Sequence, residues 1–149
     1  MNKTLNFSIE IQAPRDRVWQ AMLFSPTYDQ WTSAFCEGSR YEGGWNPGDR
    51  IRFLTPSGEG MVSEVVENRR GEFVSIRHLG EIRDGTEDTT SERVRAWAPA
   101  YENYTYIDSG QGTLVRVDVD VVGEYEQFML DTFPKALQSL KAICESAST

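Results

Sequence analysis

The stretch Leu5-Asn6-Phe7-Ser8-Ile9-Glu10-Ile11-Gln12-Ala13-Pro14-Arg15-Asp16-Arg17-Val18-Trp19-Gln20-Ala21-Met22 changes its period in the middle. Up to Ile11, apolar residues alternate with polar ones, the pattern of a strand with one buried and one wet face. Ala13-Pro14 stops that ladder, because proline has no N–H to donate and suits the first turn of a helix. From Pro14 onward Val18, Trp19, Met22 and Leu23 recur at helical spacing, which predicts an amphipathic helix to about Phe24. Ser25-Pro26 then opens a second short helix, with Ser25 as its expected N-cap and Trp31 near its end.

From Phe35 the period is that of strands separated by turns. Tyr41 to Asp49 ends a strand in a loop rich in turn formers. Ile51 and Phe53 mark the next strand, Met61 to Glu67 a third and Phe73 to Leu79 a fourth. Such short spacings imply hairpins, hence a mainly antiparallel meander rather than a βαβ sheet. Gly80 to Pro99 interrupts it. Asp84 to Asp88 reads as a polar turn, and Thr89-Thr90-Ser91-Glu92 as a capping box starting a short helix over Ser91–Trp97. So long a connection in a compact domain is expected to form a lid or binding loop. Tyr101 to Ile107 is a further strand. In the next, Val115, Val117, Val119 and Val121 alternate with Arg116, Asp118 and Asp120. Glu124 to Cys144 closes the chain as a helix. Its apolar stripe runs from Tyr125 and Phe128 through Phe133 and Leu137 to Ile143, and Pro134 inside it removes one backbone bond.

The composition sets outer bounds. With 149 residues, 39% of them hydrophobic, the chain reads as one domain over 1–149. A fold of this length buries roughly 68–70% of its unfolded surface, enough for a core without staples. No run approaches the ~20 apolar residues of a membrane helix. The first residues enter strand alternation without the apolar block of a signal peptide, so the expected location is the cytoplasm. The 23 acidic and 15 basic side chains give a formal charge of −8. That field repels a phosphate backbone and anionic lipid, so neither nucleic acid nor membrane is an expected partner. Cys36 and Cys144 belong to no motif and read as two reduced thiols that pack. With one histidine they cannot close a tetrahedral zinc site without carboxylates. No metal and no cofactor is expected. The edges near Phe35–Tyr41 and Ile51–Leu54 are able to pair between subunits, which would give a homodimer.

The order of strand, two short helices, a meander of about six strands and one long helix resembles the START-like superfamily, also called SRPBCC or Bet v 1-like. The residues that carry the likeness are Ile11 to Met22 with the Val18-Trp19 pair, Trp31, Gly60 to Val66 and the closing helix. Within it the chain is most similar to the branch related to the activator of Hsp90 ATPase, on Ser75-Ile76-Arg77-His78-Leu79-Gly80-Glu81 and Tyr101-Glu102-Asn103-Tyr104-Thr105. The resemblance implies an α+β helix-grip fold. In that fold a curved antiparallel sheet of six to seven strands wraps the long C-terminal helix, two short helices follow the first strand, and a cavity lies between sheet and helix. Members of similar folds bind lipids, polyketides or hormones, cyclise polyketides or assist a chaperone, so what it implies is a cavity and not a reaction.

Several residues are candidates for chemistry in that cavity. His78 shares strand parity with Val74 and Ile76, so it faces the cavity if they do. There it would anchor a polar ligand group or act as acid or base with a tyrosine or Glu81. The plainer alternatives are a histidine satisfied by one internal hydrogen bond, or one on the outer face. No serine, cysteine or aspartate is tied to it by a motif, so no nucleophilic triad is supported. Asp118 and Asp120 resemble a carboxylate pair, but they alternate with the valines and should point away from the cavity. Glu87, Asp88 and Glu92 lack calcium-loop spacing and read as a turn with a helix cap. The aromatic residues, Trp45 and Phe133 among them, read singly as core. Together they suit an apolar pocket, with tyrosine hydroxyls, Arg77 or His78 as polar anchors. The expected ligand-contacting set is Trp31, Phe35, Phe53, Ile76, His78, Trp97, Tyr104, Tyr106, Phe128 and Thr132, with Trp97 on the lid helix foremost. The leading expectation is a binder of a small hydrophobic or aromatic molecule. A cyclase, isomerase or hydrolase using His78 comes second, and a chaperone-associated interaction domain third.

Overall fold

The computed structural model describes residues 2–146. The alternation at the N-terminus forms β1 (Asn2–Ile11), which pairs antiparallel along its whole length with a strand near the other end of the chain. Pro14 follows in extended conformation and α1 (Arg15–Leu23) begins after it, burying Val18, Trp19, Met22 and Leu23. A second helix, α2 (Thr27–Trp31), ends in a short 3-10 turn at Thr32–Ala34. Its N-cap is Pro26, not Ser25; the Ser25 hydroxyl donates to Asp29 Oδ1 at 3.0 Å and leaves the helix N–H groups alone.

The meander comprises β2 (Arg40–Gly43), β3 (Arg50–Leu54), β4 (Gly60–Arg69) and β5 (Phe73–Arg83). After β6 (Thr86–Asp88) and α3 (Glu92–Arg95) come β7 (Ala100–Ser109), β8 (Gly112–Val122) and α4 (Gly123–Ser146). The sheet therefore has eight strands, in the order β1-β8-β7-β5-β4-β3-β2 with β6 on the end of β5. That is one more than the sequence suggests, because Thr86–Asp88, read as a polar turn, folds back as a strand on β5. Gly80 permits this: a Cβ there would lie 2.0 Å from the Asp88 carbonyl oxygen. The cap of α3 also differs from expectation. Ser91, not Thr89, accepts from the Val94 N–H, while Asp88 Oδ1 takes the N–H groups of Thr90 and Ser91. The helix is correspondingly shorter than Ser91–Trp97. Glu87 is bound by Arg52, so the acidic cluster is absorbed by an ion pair and a cap.

β3 lies between β2 and β4 and is no edge; β1 and β2 end the strand order, and the short β6 pairs with β5 alone. The four valines of β8 are buried, and Asp118 and Asp120 accept from Asn6 and Thr4 on the adjoining strand β1. Helix α4 lies across the sheet near β1 and against α1 and α2. Thr132, Phe133, Ala136, Leu137, Leu140 and Cys144 are buried along it, the i/i+4 stripe of a helix on a sheet. Each large member stabilises the fold by about 1.5–3 kcal/mol through burial. The stripe begins later than its sequence suggests, since Tyr125 and Phe128 are exposed. Pro134 points outward on the exposed side and the helix continues through it. Cys144 packs between α4 and α1, where burial pushes its thiol up to about 11; Cys36 is exposed, so only one of the two thiols packs.

Candidate functional site

Three neighbouring strands, β4, β5 and β7, place polar side chains under the helices. Along β4 and β5 the register is Met61 opposite Glu81 and Val62 opposite Gly80, then shifts so that Ser63 stands opposite His78. An unbroken ladder would have set Ser63 against Leu79. The irregularity instead puts the serine hydroxyl 2.7 Å from His78 Nδ1. On the other side of β5, Ile76 pairs with Glu102 of β7. From that diagonal position the Glu102 carboxylate meets His78 Nε2 at 2.9 Å through Oε1. Tyr104, two residues on and so on the same face, donates its hydroxyl to Oε2. The result is a hydrogen-bonded row, Ser63–His78–Glu102–Tyr104, across the sheet.

The row has a buried end and an open end. Ser63 is fully buried and His78 is 4% exposed, whereas the Glu102 side chain is 20% exposed, toward the cavity. Burial opposes ionisation of Glu102, but the hydrogen bonds it accepts from His78 and Tyr104 hold the carboxyl below its ordinary value. Tyr104 goes the other way: burial first, then the Glu102 charge, push its phenol far up. Tyr28, which lines the same cavity, is raised by burial and, next, by the same charge.

Above this row is a cavity of about 250 Å³. Its sides come from α1 and α2 (Met22, Tyr28, Trp31), from α4 (Phe128, Met129, Phe133) and from β3 and β4 (Phe53, Met61). Ring contacts run unbroken from surface to floor. Phe128 meets Phe35 at 6.4 Å, Phe35 meets Trp31 at 6.4 Å and Trp31 meets Tyr28 at 6.0 Å. Tyr28 meets Phe53 at 6.2 Å and Phe53 meets the His78 ring at 5.8 Å. Phe128, 46% exposed, stands at the mouth beside Cys36 and Arg40.

Of the residues expected to contact a ligand, Trp31, Phe35, Phe53, Ile76, His78, Tyr104 and Phe128 line this cavity. Trp97, Tyr106 and Thr132 do not. The Trp97 indole donates to Glu81 Oε2 at 3.3 Å, and no residue of 80–99 reaches the cavity, so the segment read as a lid lies elsewhere. Tyr106 is buried with its hydroxyl on Met22 Sδ at 2.9 Å, and Thr132 is buried on α4. Glu81 is held by Arg93 and Arg83 and is not the partner of His78. Arg77 pairs with Glu64 and does not line the cavity. Glu102 and Ser63 are the functional residues that sequence reasoning missed. Parity marks Glu102, two before Tyr104; nothing in the sequence marks the register shift that delivers Ser63.

Neither a protein-family profile nor a curated protein sequence matches the chain. Solved structures do. The protein MLL2253 from Mesorhizobium loti superposes with a TM-score of 0.77 at 13% identity, covering 99% of this chain and 100% of that one. The Aha1 dimer from Colwellia psychrerythraea gives 0.75 at 16% identity, with 99% of each chain covered. Ara h 8.0201, a Bet v 1 homologue, gives 0.67 at 11%, covering 98% of this chain and 99% of its own. The chain has the START-like, Bet v 1-like fold. In this helix-grip architecture the hollow lies between the long helix and the sheet. The buried residues of α4 begin at Thr132, and Phe128 and Met129, one turn earlier, line the cavity. Among the described residues no helix is long and apolar enough to cross a membrane.

Proposed function

We propose that the protein binds a small, largely apolar or aromatic molecule in the cavity between α4 and the inner face of the sheet. The observation that carries this reading is the aromatic lining around a single polar row. An apolar space of ~150 Å³ is enough to take up benzene, so about 250 Å³ suits a larger, two-ring body. Such sites pair apolar walls with a few placed polar groups, the roles taken here by the rings and by Glu102, His78 and Tyr104. Native mass spectrometry of freshly purified protein, beside the same sample denatured, tests it. The expected result is an added mass lost on denaturation, and the protein should bind members of a library of apolar compounds. A bare mass with no binding from that library would end the reading.

A second reading rests on the His78–Glu102 pair: acid/base catalysis of cyclisation, isomerisation or hydrolysis. Ser63 is fully buried and has no access to a substrate, so a serine nucleophile is not part of it. Both ring nitrogens of His78 are already bonded, which leaves Glu102 as the group a substrate would meet first. His78→Ala should abolish turnover of a candidate substrate with the fold kept; retained turnover would end this reading. Self-association is supported by the end strands β1 and β2 and by the dimeric Aha1 neighbour, and sedimentation velocity distinguishes monomer from dimer.

A further inference from the structure

Charge is distributed unevenly in the cavity. Among the described residues that line it, Glu102 is the one carboxylate, and the one cation is Arg40 at the exposed rim. Arg40 is occupied there by the Thr55 carbonyl at 3.3 Å and by Glu42 at 3.6 Å. Glu102 makes no ion pair with a lysine or arginine among the described residues.

Hydrogen-bond bookkeeping then gives the donor directions along the row. The Ser63 hydroxyl has one partner among the described residues, Nδ1 of His78, and is fully buried. If Nδ1 carried a proton it would donate to Ser63, and the serine's own hydrogen would be left without an acceptor in a dry place. The satisfied arrangement has Ser63 O–H donating to Nδ1 and the ring donating Nε2–H to Glu102. His78 and Tyr104 thus each donate to the carboxylate, which faces the cavity with no lysine or arginine beside it. A carboxylate offers about four acceptor sites. His78 and Tyr104 take one on each oxygen, so each oxygen retains one for a ligand. Tyr28, Phe53 and Tyr104 line the same cavity, and the face of an aromatic ring attracts an organic cation within about 6 Å.

We propose that the ligand is an aromatic amine, bound as its ammonium form with the nitrogen on Glu102 and the ring body among Trp31, Phe35 and Phe53. This names the ligand class of the cavity-binding reading and rests on it. The ammonium supplies the missing positive charge and one or two charge-assisted hydrogen bonds. A carboxylic acid of the same shape would bring a second negative charge to the same place and be rejected.

The test is calorimetric titration of the whole chain at pH 7 with three probes of one shape: tryptamine, tryptophol and indole-3-acetate. Tryptamine should bind about tenfold or more tighter than tryptophol, the usual advantage of a hydrogen bond to a charged partner. Indole-3-acetate should bind most weakly. In Glu102→Gln the amine should lose its advantage and match the alcohol, whereas Glu81→Gln, outside the cavity, should leave the ratio unchanged. The wild-type ratio stands on its own if the Glu102 variant does not fold. Equal binding of tryptamine and tryptophol to the wild type would overturn the amine assignment and leave the cavity reading in place. Failure of all three probes to bind at millimolar concentration would overturn both.

Discussion

Arg77 and His78 are neighbours on β5, and each is bonded to a glutamate of an adjacent strand. Arg77 reaches Glu64 on β4, with side chains 37% and 28% exposed. His78 reaches Glu102 on β7, with side chains 6% and 20% exposed. Sequence spacing treats the two pairs alike, but the environment does not. Water screens the first, and exposed pairs of this kind contribute little to stability. The second is enclosed by rings, its serine and tyrosine partners are fixed, and the one group left partly open is a carboxylate. A strand that alternates faces thus carries a water-facing pair and a cavity-facing pair at consecutive positions.

Truncation should separate the two most strongly. Glu102→Ala leaves the Nε2–H of His78 and the Tyr104 hydroxyl without partners in a buried place, and should cost about 3 kcal/mol in urea denaturation. Glu64→Ala, the same truncation on the outer pair, should leave the midpoint where it is. If both variants lose equal stability, the difference between the two environments is not real.

The acid limb of stability offers a finer comparison. Glu102 is held below its ordinary value of 4.5, so at pH values under 4.5 the unfolded chain takes up its proton first. The stabilisation from this carboxylate is complete above that value and is lost as pH falls through the lowered native one. Glu102→Gln should therefore show a shallower fall of melting temperature between pH 5 and 3 than the wild type. Parallel curves would mean that Glu102 is not held ionised. Smallest of the three, Ser63→Ala removes one donor from His78 Nδ1 and should cost about 1 kcal/mol.

The elements that specify the fold were open to reading because their signals are local. The break at Ala13-Pro14, the four valines of β8 and the stripe from Phe133 to Cys144 each follow one period within one element. The site was only half open to reading. His78, Ile76 and Phe53 follow from strand parity, and so would Glu102, which precedes Tyr104 by two. Ser63 could not be placed, since its position depends on a one-residue shift between β4 and β5 that leaves no mark on either strand. Residue type alone points Tyr106 to the cavity, and the reading of 80–99 as a lid points Trp97 there. The segment 80–99 folds back along β5 and lines no part of the cavity, and the Tyr106 hydroxyl turns to Met22 of α1, so neither residue reaches it.

Tryptophan supplies an internal control for the central claim. Trp31 and Trp45 line the cavity, while the indoles of Trp19 and Trp97 are tied to Asn68 and Glu81 outside it. The most direct measurement is a ¹⁵N–¹H spectrum of the four indole groups during titration with an aromatic amine. The result predicted is movement of the Trp31 and Trp45 signals with those of Trp19 and Trp97 unchanged. Movement confined to Trp19 or Trp97, or none at saturating ligand, would contradict a binding site between α4 and the sheet.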